Sequence, residues 1–244
     1  MITILSLAIG LLKYPLIEYP KKIGILGGTF DPPHIGHLRL ASYFAKKLQL
    51  DELLLVPSGQ PWQKGSNITS AEIRYQLTEA AAIDLARVFL YLKIPTKIGV
   101  DRIEIEREGP YSIDTAKSLR ERYGSDVSLI WLTGADSLIH LPSWIAWQDL
   151  FRYLHFAVAS RPNYDLSTEM SPEIQMLLET NQTKDLNDLT SHPAGLIYID
   201  KSLSVDLSST DLRKRLQSTA RSSIASEQIP SHTLEIILNL GLYQ

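Results

Sequence analysis

The chain predicts an α/β fold: a parallel, doubly wound sheet finished by C-terminal helices. Two observations lead there. Short apolar runs of strand length alternate with longer segments whose apolar residues recur at helical spacing. Several of the short runs also end in glycine or proline, the punctuation of strand-to-helix turns.

Residues 21–27 (KKIGILG) read as a buried strand ending in glycines. A helix is predicted over 35–50, where Leu38, Ala41, Ala45 and Leu48 recur at helical spacing. Residues 52–56 (ELLLV) form a second strand closed by Pro57, and 57–70 form a Pro-, Gly- and Ser-rich loop. A helix over 71–87, a strand over 98–106 and a helix over 113–123 follow. Residues 128–132 (SLIWL) are the next strand, ending in Thr133 and Gly134. After a helical stretch that contains tryptophan, 154–159 (LHFAVA) is another strand. Residues 162–195 are polar and read as an irregular insert with a short helix near 173–179. A last strand over 195–199 and helices over 210–216 and 233–240 complete the chain. In such a sheet, ligands bind at the C-terminal strand ends, near the switch in strand order.

The 244 residues suit one domain, assigned to 21–244, with 1–20 as an extension outside it. Residues 1–12 are apolar, yet too short to span a bilayer as a helix. They lack a basic stretch and a small-residue cleavage site, so a signal peptide fits poorly. A net charge of -3 gives nucleic acid or a membrane surface no general attraction, and neither is expected as a partner. The absence of cysteine excludes disulfides and thiolate chemistry and fits a cytoplasmic location.

The most informative stretch is Gly27-Gly28-Thr29-Phe30-Asp31-Pro32-Pro33-His34-Ile35-Gly36-His37. Glycines after a strand let backbone approach a ligand, and Gly36 removes a side chain between the histidines. His34 and His37, three apart at a helix start, can point the same way. The N-terminal N–H groups and dipole of that helix favour an anion, so the ensemble suits a triphosphate. The stretch has neither the spacing of hydride-transfer dinucleotide folds nor a P-loop lysine, and no further ligands make the histidines a metal site. Near the other end, Ser208-Ser209-Thr210 with Arg213 forms a second helix start with hydroxyl donors and a cation.

The first stretch resembles the GG(S/T)FDPxHxGH signature of the nucleotidyltransferase superfamily, and 207–213 resembles its ISxTxxR signature. The resemblance implies a Rossmann-like nucleotidyltransferase fold. Within the superfamily the chain is similar to the nicotinate-nucleotide adenylyltransferases. Residues 56–64 resemble that family's substrate loop, whose Lys64 would lie near phosphate; a solvated loop charge is the alternative. Residues 106–115 (EREGPYSIDT) resemble its E-x-x-x-G-x-S-Y-T-x-D-T segment, with proline for serine, serine for threonine and one residue fewer before Tyr111. Asp114 and Thr115 match. Residues 132–137 (LTGADS) with Trp144 resemble its G-x-D-S…W stretch, in which Asp136 would bond ribose and Trp144 would stack on the pyridine ring. A core stripe of Trp144 and Trp147 is the alternative. Residues 159–162 match its A-S-R-P, placing Arg161 at the nucleotide end.

The resemblance implies adenylyl transfer from ATP to nicotinate mononucleotide, with Mg²⁺ arriving on ATP and no metal held by the protein alone. His34, His37 and Arg213 would be catalytic. Gly27, Gly28, Thr29, Phe30, Gly36, Gly134, Asp136, Arg161, Ser208, Ser209 and Thr210 would hold ATP. Lys64, Tyr111, Thr115 and Trp144 would hold the acceptor. Nicotinamide mononucleotide as acceptor, or a sensor that binds nucleotide without turnover, are the alternatives. The G-A-D-S…W and A-S-R-P stretches speak against phosphopantetheine and flavin mononucleotide as acceptors.

Overall fold

The computed structural model describes residues 21–60, 68–107, 111–160, 169–203, 209–216 and 227–243. Seven described strands form one parallel sheet: β1 (Lys22–Gly28), β2 (Glu52–Pro57), β3 (Lys97–Val100), β4 (Ser128–Gly134), β5 (His155–Ala159), β6 (Gln182–Thr183) and β7 (Ile197–Asp200). Their order is β3-β2-β1-β4-β5-β7-β6. The chain builds outward from β1 to β3, then returns to the other side of β1 with β4. The switch point therefore lies between β1 and β4, where such sheets bind ligands.

Successive residues of the central strands enter opposite cores. From β4, Leu129 and Trp131 join Ile25, Val56, Phe156 and the α3 (Ser112–Tyr123) residues Ile113, Ala116 and Leu119 on one face. Ile130 and Leu132 join Leu26, Leu53 and Ala157 on the other. That second face is covered by α1 (Ile35–Leu48) through Ala41, Phe44 and Leu48, and by α2 (Ala71–Leu92) through Ala81, Leu85 and Phe89. Burial on both faces explains the unbroken apolar runs of the inner strands. Each fully buried leucine contributes about 1.5–3 kcal/mol. A third core joins Leu77 of α2 to Leu212 and Leu216 of α7 (Ser209–Leu216) and Ile237 of α8 (Ser231–Asn239).

Four elements differ from expectation. The strand expected over 98–106 ends at Val100. Asp101 Oδ1 accepts the Ile103 N–H at 2.9 Å, and the Ile105 N–H reaches the Arg102 carbonyl at 2.8 Å, so the chain turns and carries Glu104 inward. The tryptophan-containing stretch is two 3₁₀ segments, Leu141–Ser143 and Trp147–Arg152, separated by Ala146 in left-handed conformation. Residues 169–195 carry the short helix expected near 173–179, and the rest is more ordered than the irregular insert expected. α5 (Pro172–Asn181) buries Ile174, β6 pairs with β7 at the sheet edge, and α6 (Asp188–Ser191) buries Leu189. α2 also continues past residue 87 because Phe89 extends its buried stripe, and Lys93 caps it in left-handed conformation before Pro95. Among the described residues no helix is long and apolar enough to cross a membrane.

Candidate active site

At the switch point, the turn after β1 leads through Asp31 and two prolines into α1. His34 is the extended N-cap of α1, and His37 lies one turn in. Their rings stack with centroids 3.7 Å apart and planes at 24°. His37 Nδ1 accepts the His34 backbone N–H at 3.1 Å, so a neutral His37 ring carries its proton on Nε2 as a donor. Phe30, buried and in left-handed conformation, sets its ring edge-on to His37 at 4.9 Å. The resemblance assigns Phe30 to ATP; in the structure it supports His37.

A cavity of about 320 Å³ opens beside this pair. Gly27, His34, Gly36 and His37 form one wall, and Thr133, Gly134, Asp136 and Ser137 of β4 and α4 (Ala135–Ile139) form the other. Its size is at the low end for ligand cavities, enough for part of one nucleotide rather than two. The glycines serve different ends. A Cβ on Gly27 would meet the Trp131 ring at 2.5 Å, so Gly27 makes room for the core. A Cβ on Gly134 would meet nothing within 4 Å, which leaves that wall open to a ligand.

Arg213 comes to the same turn from the far end of the chain. Its Nη1 donates to the Asp31 carbonyl at 2.6 Å and lies 3.7 Å from Asp31 Oδ2. Ser209 Oγ donates to the Pro32 carbonyl at 3.1 Å, and Thr210 Oγ1 accepts from Arg213 at 3.5 Å. α7 is thereby docked on the β1–α1 turn, joining the two motifs in space.

The acceptor-side residues are placed less uniformly. Tyr111 is the exposed N-cap of α3. Thr115 is buried and donates to Glu104 Oε1 at 2.8 Å, which ties α3 to the turn after β3. Burial lifts the Glu104 carboxyl to about 7, against the pull of the Thr115 bond. Trp144 packs edge-on to Trp131 at 6.1 Å, linking it to the ring beneath Gly27. Thr29 lies in the turn, and its carbonyl accepts from Arg74. Lys64, Arg161 and Ser208 lie outside the described residues.

Three residues around the site escape a reading of the sequence. Arg74 of α2 is 1% exposed and donates to the carbonyls of Thr69, Thr29 and Gly59 at 2.9, 2.8 and 2.8 Å. It ties the turn after β1, the loop after β2 and the start of α2 together, and burial lowers its affinity for a proton. Its position on the buried stripe of Leu77, Ala81 and Leu85 is the available signal. Asp31 is fully buried and accepts from the Tyr243 hydroxyl at 2.5 Å. Tyr243, the third, carries no signal in the sequence.

The cytidylyltransferase-like family matches residues 25–215. A probable nicotinate-nucleotide adenylyltransferase of Herminiimonas arsenicoxydans is 35% identical over 91% of this chain and 96% of that protein. One from Mycobacterium tuberculosis is 39% identical over 80% of each. Among solved structures, Plasmodium falciparum nicotinic acid mononucleotide adenylyltransferase complexed with NaAD matches with a TM-score of 0.65. It is 17% identical and covered over 91% of this chain and 97% of its own, a likeness of fold. With two stacked histidines at the switch point, Arg213 on the same turn and relatives matched nearly end to end, the chain belongs to the nicotinate-nucleotide adenylyltransferases of the cytidylyltransferase-like family.

Proposed function

We propose that the protein transfers the adenylyl group of ATP to nicotinate mononucleotide, releasing pyrophosphate and forming nicotinate adenine dinucleotide, a step in NAD biosynthesis. The observation that carries this is the convergence of His34, His37 and Arg213 on one turn beside a cavity that takes part of one nucleotide.

A 5′-phosphate oxygen of the mononucleotide attacks the α-phosphorus of ATP in line. The new P–O bond forms as the bond to the β-phosphate bridge oxygen breaks, and pyrophosphate carries the electron pair away. The attacking oxygen is already anionic, so no protein base is needed. The protein supplies positioning and charge stabilisation. His37 donates from Nε2 toward the phosphates, aided by His34 and the N-terminal N–H groups of α1. Arg213 and the α7 hydroxyls hold the triphosphate. Gly134 and Asp136 receive the nucleoside, with Arg161 at the same end. Trp144, Tyr111 and Lys64 hold the acceptor, whose site is distinct from the small cavity.

Mg²⁺ enters with ATP. Among the described residues no group of three His, Asp or Glu could hold a metal, and the Asp31 carboxylate accepts hydrogen bonds from Tyr243 and Thr69. Mg²⁺ arriving on ATP would be held by phosphate oxygens and water, the ligands it prefers. The cysteine-free chain fits work in the cytoplasm.

Pyrophosphate release from ATP and Mg²⁺ is the test, with nicotinate and nicotinamide mononucleotides as parallel acceptors. Faster release with nicotinate mononucleotide, and the matching dinucleotide as product, is expected. Release with the amide alone would change the substrate. Binding of ATP with no release from either would make the protein a sensor.

A further inference from the structure

We infer that Tyr243 is a positioning residue for Arg213: its hydroxyl on Asp31 holds that carboxylate off the guanidinium, leaving Arg213 for the triphosphate. This rests on the reading of Arg213 as a phosphate ligand. Asp31 is fully buried, and Arg213 Nη1 lies 3.7 Å from its Oδ2 while bonded to its backbone carbonyl. An arginine so close to a buried carboxylate is strongly drawn to close a full ion pair, and ATP would have to compete with it. The approach is not completed because the carboxylate is otherwise satisfied. Tyr243 donates to Oδ1 at 2.5 Å, and the Thr69 N–H donates to Oδ2 at 3.3 Å. The Arg213 side chain stays 20% exposed, on the solvent side of the pair.

The tyrosine is held for this contact. It adopts a left-handed backbone, φ 59°, which side chains seldom take without compensation. Its ring packs on the core of Leu77, Leu212, Leu216 and Ile237. Leu212 and Leu216 also seat α7, so the hydroxyl and the arginine share one apolar base. Burial, reinforced by the bond to Asp31, raises the phenol's proton affinity, so it remains a donor across the working pH range. Thr69 Oγ1 reaches the same hydroxyl at 3.4 Å, a weaker tie than the bond to Asp31.

Tyr243→Phe keeps the ring and removes the hydroxyl. The measurements are calorimetric binding of a non-hydrolysable ATP analogue, KM for each substrate and the urea unfolding midpoint. ATP-analogue Kd and KM for ATP should rise roughly tenfold, the scale of one hydrogen bond to a charged group. KM for the mononucleotide and the midpoint should hardly change. Adding Asp31→Asn, which removes the charge that captures Arg213, should restore ATP affinity. Unchanged ATP affinity in Tyr243→Phe would overturn the inference. So would a parallel loss for both substrates and in the midpoint, which would mark a mere C-terminal staple. Absence of recovery in a folded double variant would also overturn it. ATP-analogue binding needs no acceptor, so its outcome is separate from wild-type failure to release pyrophosphate with nicotinate mononucleotide.

Discussion

Arg74 and Arg120 are the same device at opposite ends of one sheet. Each spends its planar fork on backbone carbonyls rather than on a carboxylate, and burial lowers the proton affinity of both. Arg74 holds Thr29, Gly59 and Thr69 at the C-terminal strand ends, where the candidate site lies. Arg120 of α3 holds Tyr153, Val127 and Pro193 beneath the N-terminal ends of β4 and β5, with carbonyls at 2.6, 2.6 and 2.8 Å. The chemistry is alike, so a difference in phenotype must come from the loops each one holds. Organisation of the site and stability of the fold can thus be separated by one residue type.

The largest effect belongs to the reacting end itself. His37→Ala should cut kcat by about a hundredfold, the usual cost of about 3 kcal/mol for a lost transition-state donor. The unfolding midpoint should move little, and near-normal turnover would remove His37 from the mechanism. Next comes Arg74→Lys, which keeps the charge but cannot serve three carbonyls in one plane. It should lower kcat/KM for both substrates about tenfold or more, because unsatisfied buried carbonyls cost roughly 1–3 kcal/mol each and the loops would shift to recover them. Activity per folded molecule equal to wild type would show that Arg74 is only a scaffold. Arg120→Met should show the reverse pattern. Stability should fall by about 1–2 kcal/mol, softened because water can reach some of the released carbonyls, and kcat/KM should stay at the wild-type value. A loss of activity there would mean that the two ends of the sheet are coupled.

Legibility in the sequence follows how local the cause is. The central strands can be read because burial on both faces makes runs such as 129–132 continuous, and the two histidines because they are three residues apart in one motif. β6 cannot, since Gln182 and Thr183 are two polar residues whose strand state comes only from pairing with β7. Arg74 is marked only by its place on the buried stripe of α2; the carbonyls it meets, from the turn after β1 and from both ends of the loop between β2 and α2, cannot be read. Tyr243 is subtler, as its partner Asp31 is 212 residues away in the chain. Position 27 demands a glycine for packing as well, because Trp131 fills the space beside it. In each case the residue is visible in the sequence and the long-range contact is not.

The smallest effect sharpens the same contrast between the two ends through pH. His155, at the N-terminal end of β5, is buried, with Nε2 against the His192 carbonyl at 2.8 Å and Nδ1 accepting the Leu196 N–H at 3.0 Å. Burial lowers its pKa to about 4. The unfolded chain then binds the extra proton first, so this group's stability is full above about 6.5 and is lost as pH falls toward 4. Glu104, beside the site, is raised to about 7. Its stability is full below the ordinary glutamate range and is lost as pH rises through 7. Over the interval between them the two slopes oppose, and the wild-type urea midpoint should be nearly flat where these groups dominate. Glu104→Gln should expose stability that climbs with pH from about 4 to 6.5. The climb should be at most about 3 kcal/mol, since each tenfold change in proton affinity is worth about 1.4 kcal/mol. His155→Gln should expose stability that declines with rising pH up to 7. Slopes, not absolute midpoints, carry the result, because either substitution also changes packing. If both variants keep the wild-type slope, neither buried group titrates differently in the folded chain, and the two ends differ in geometry alone.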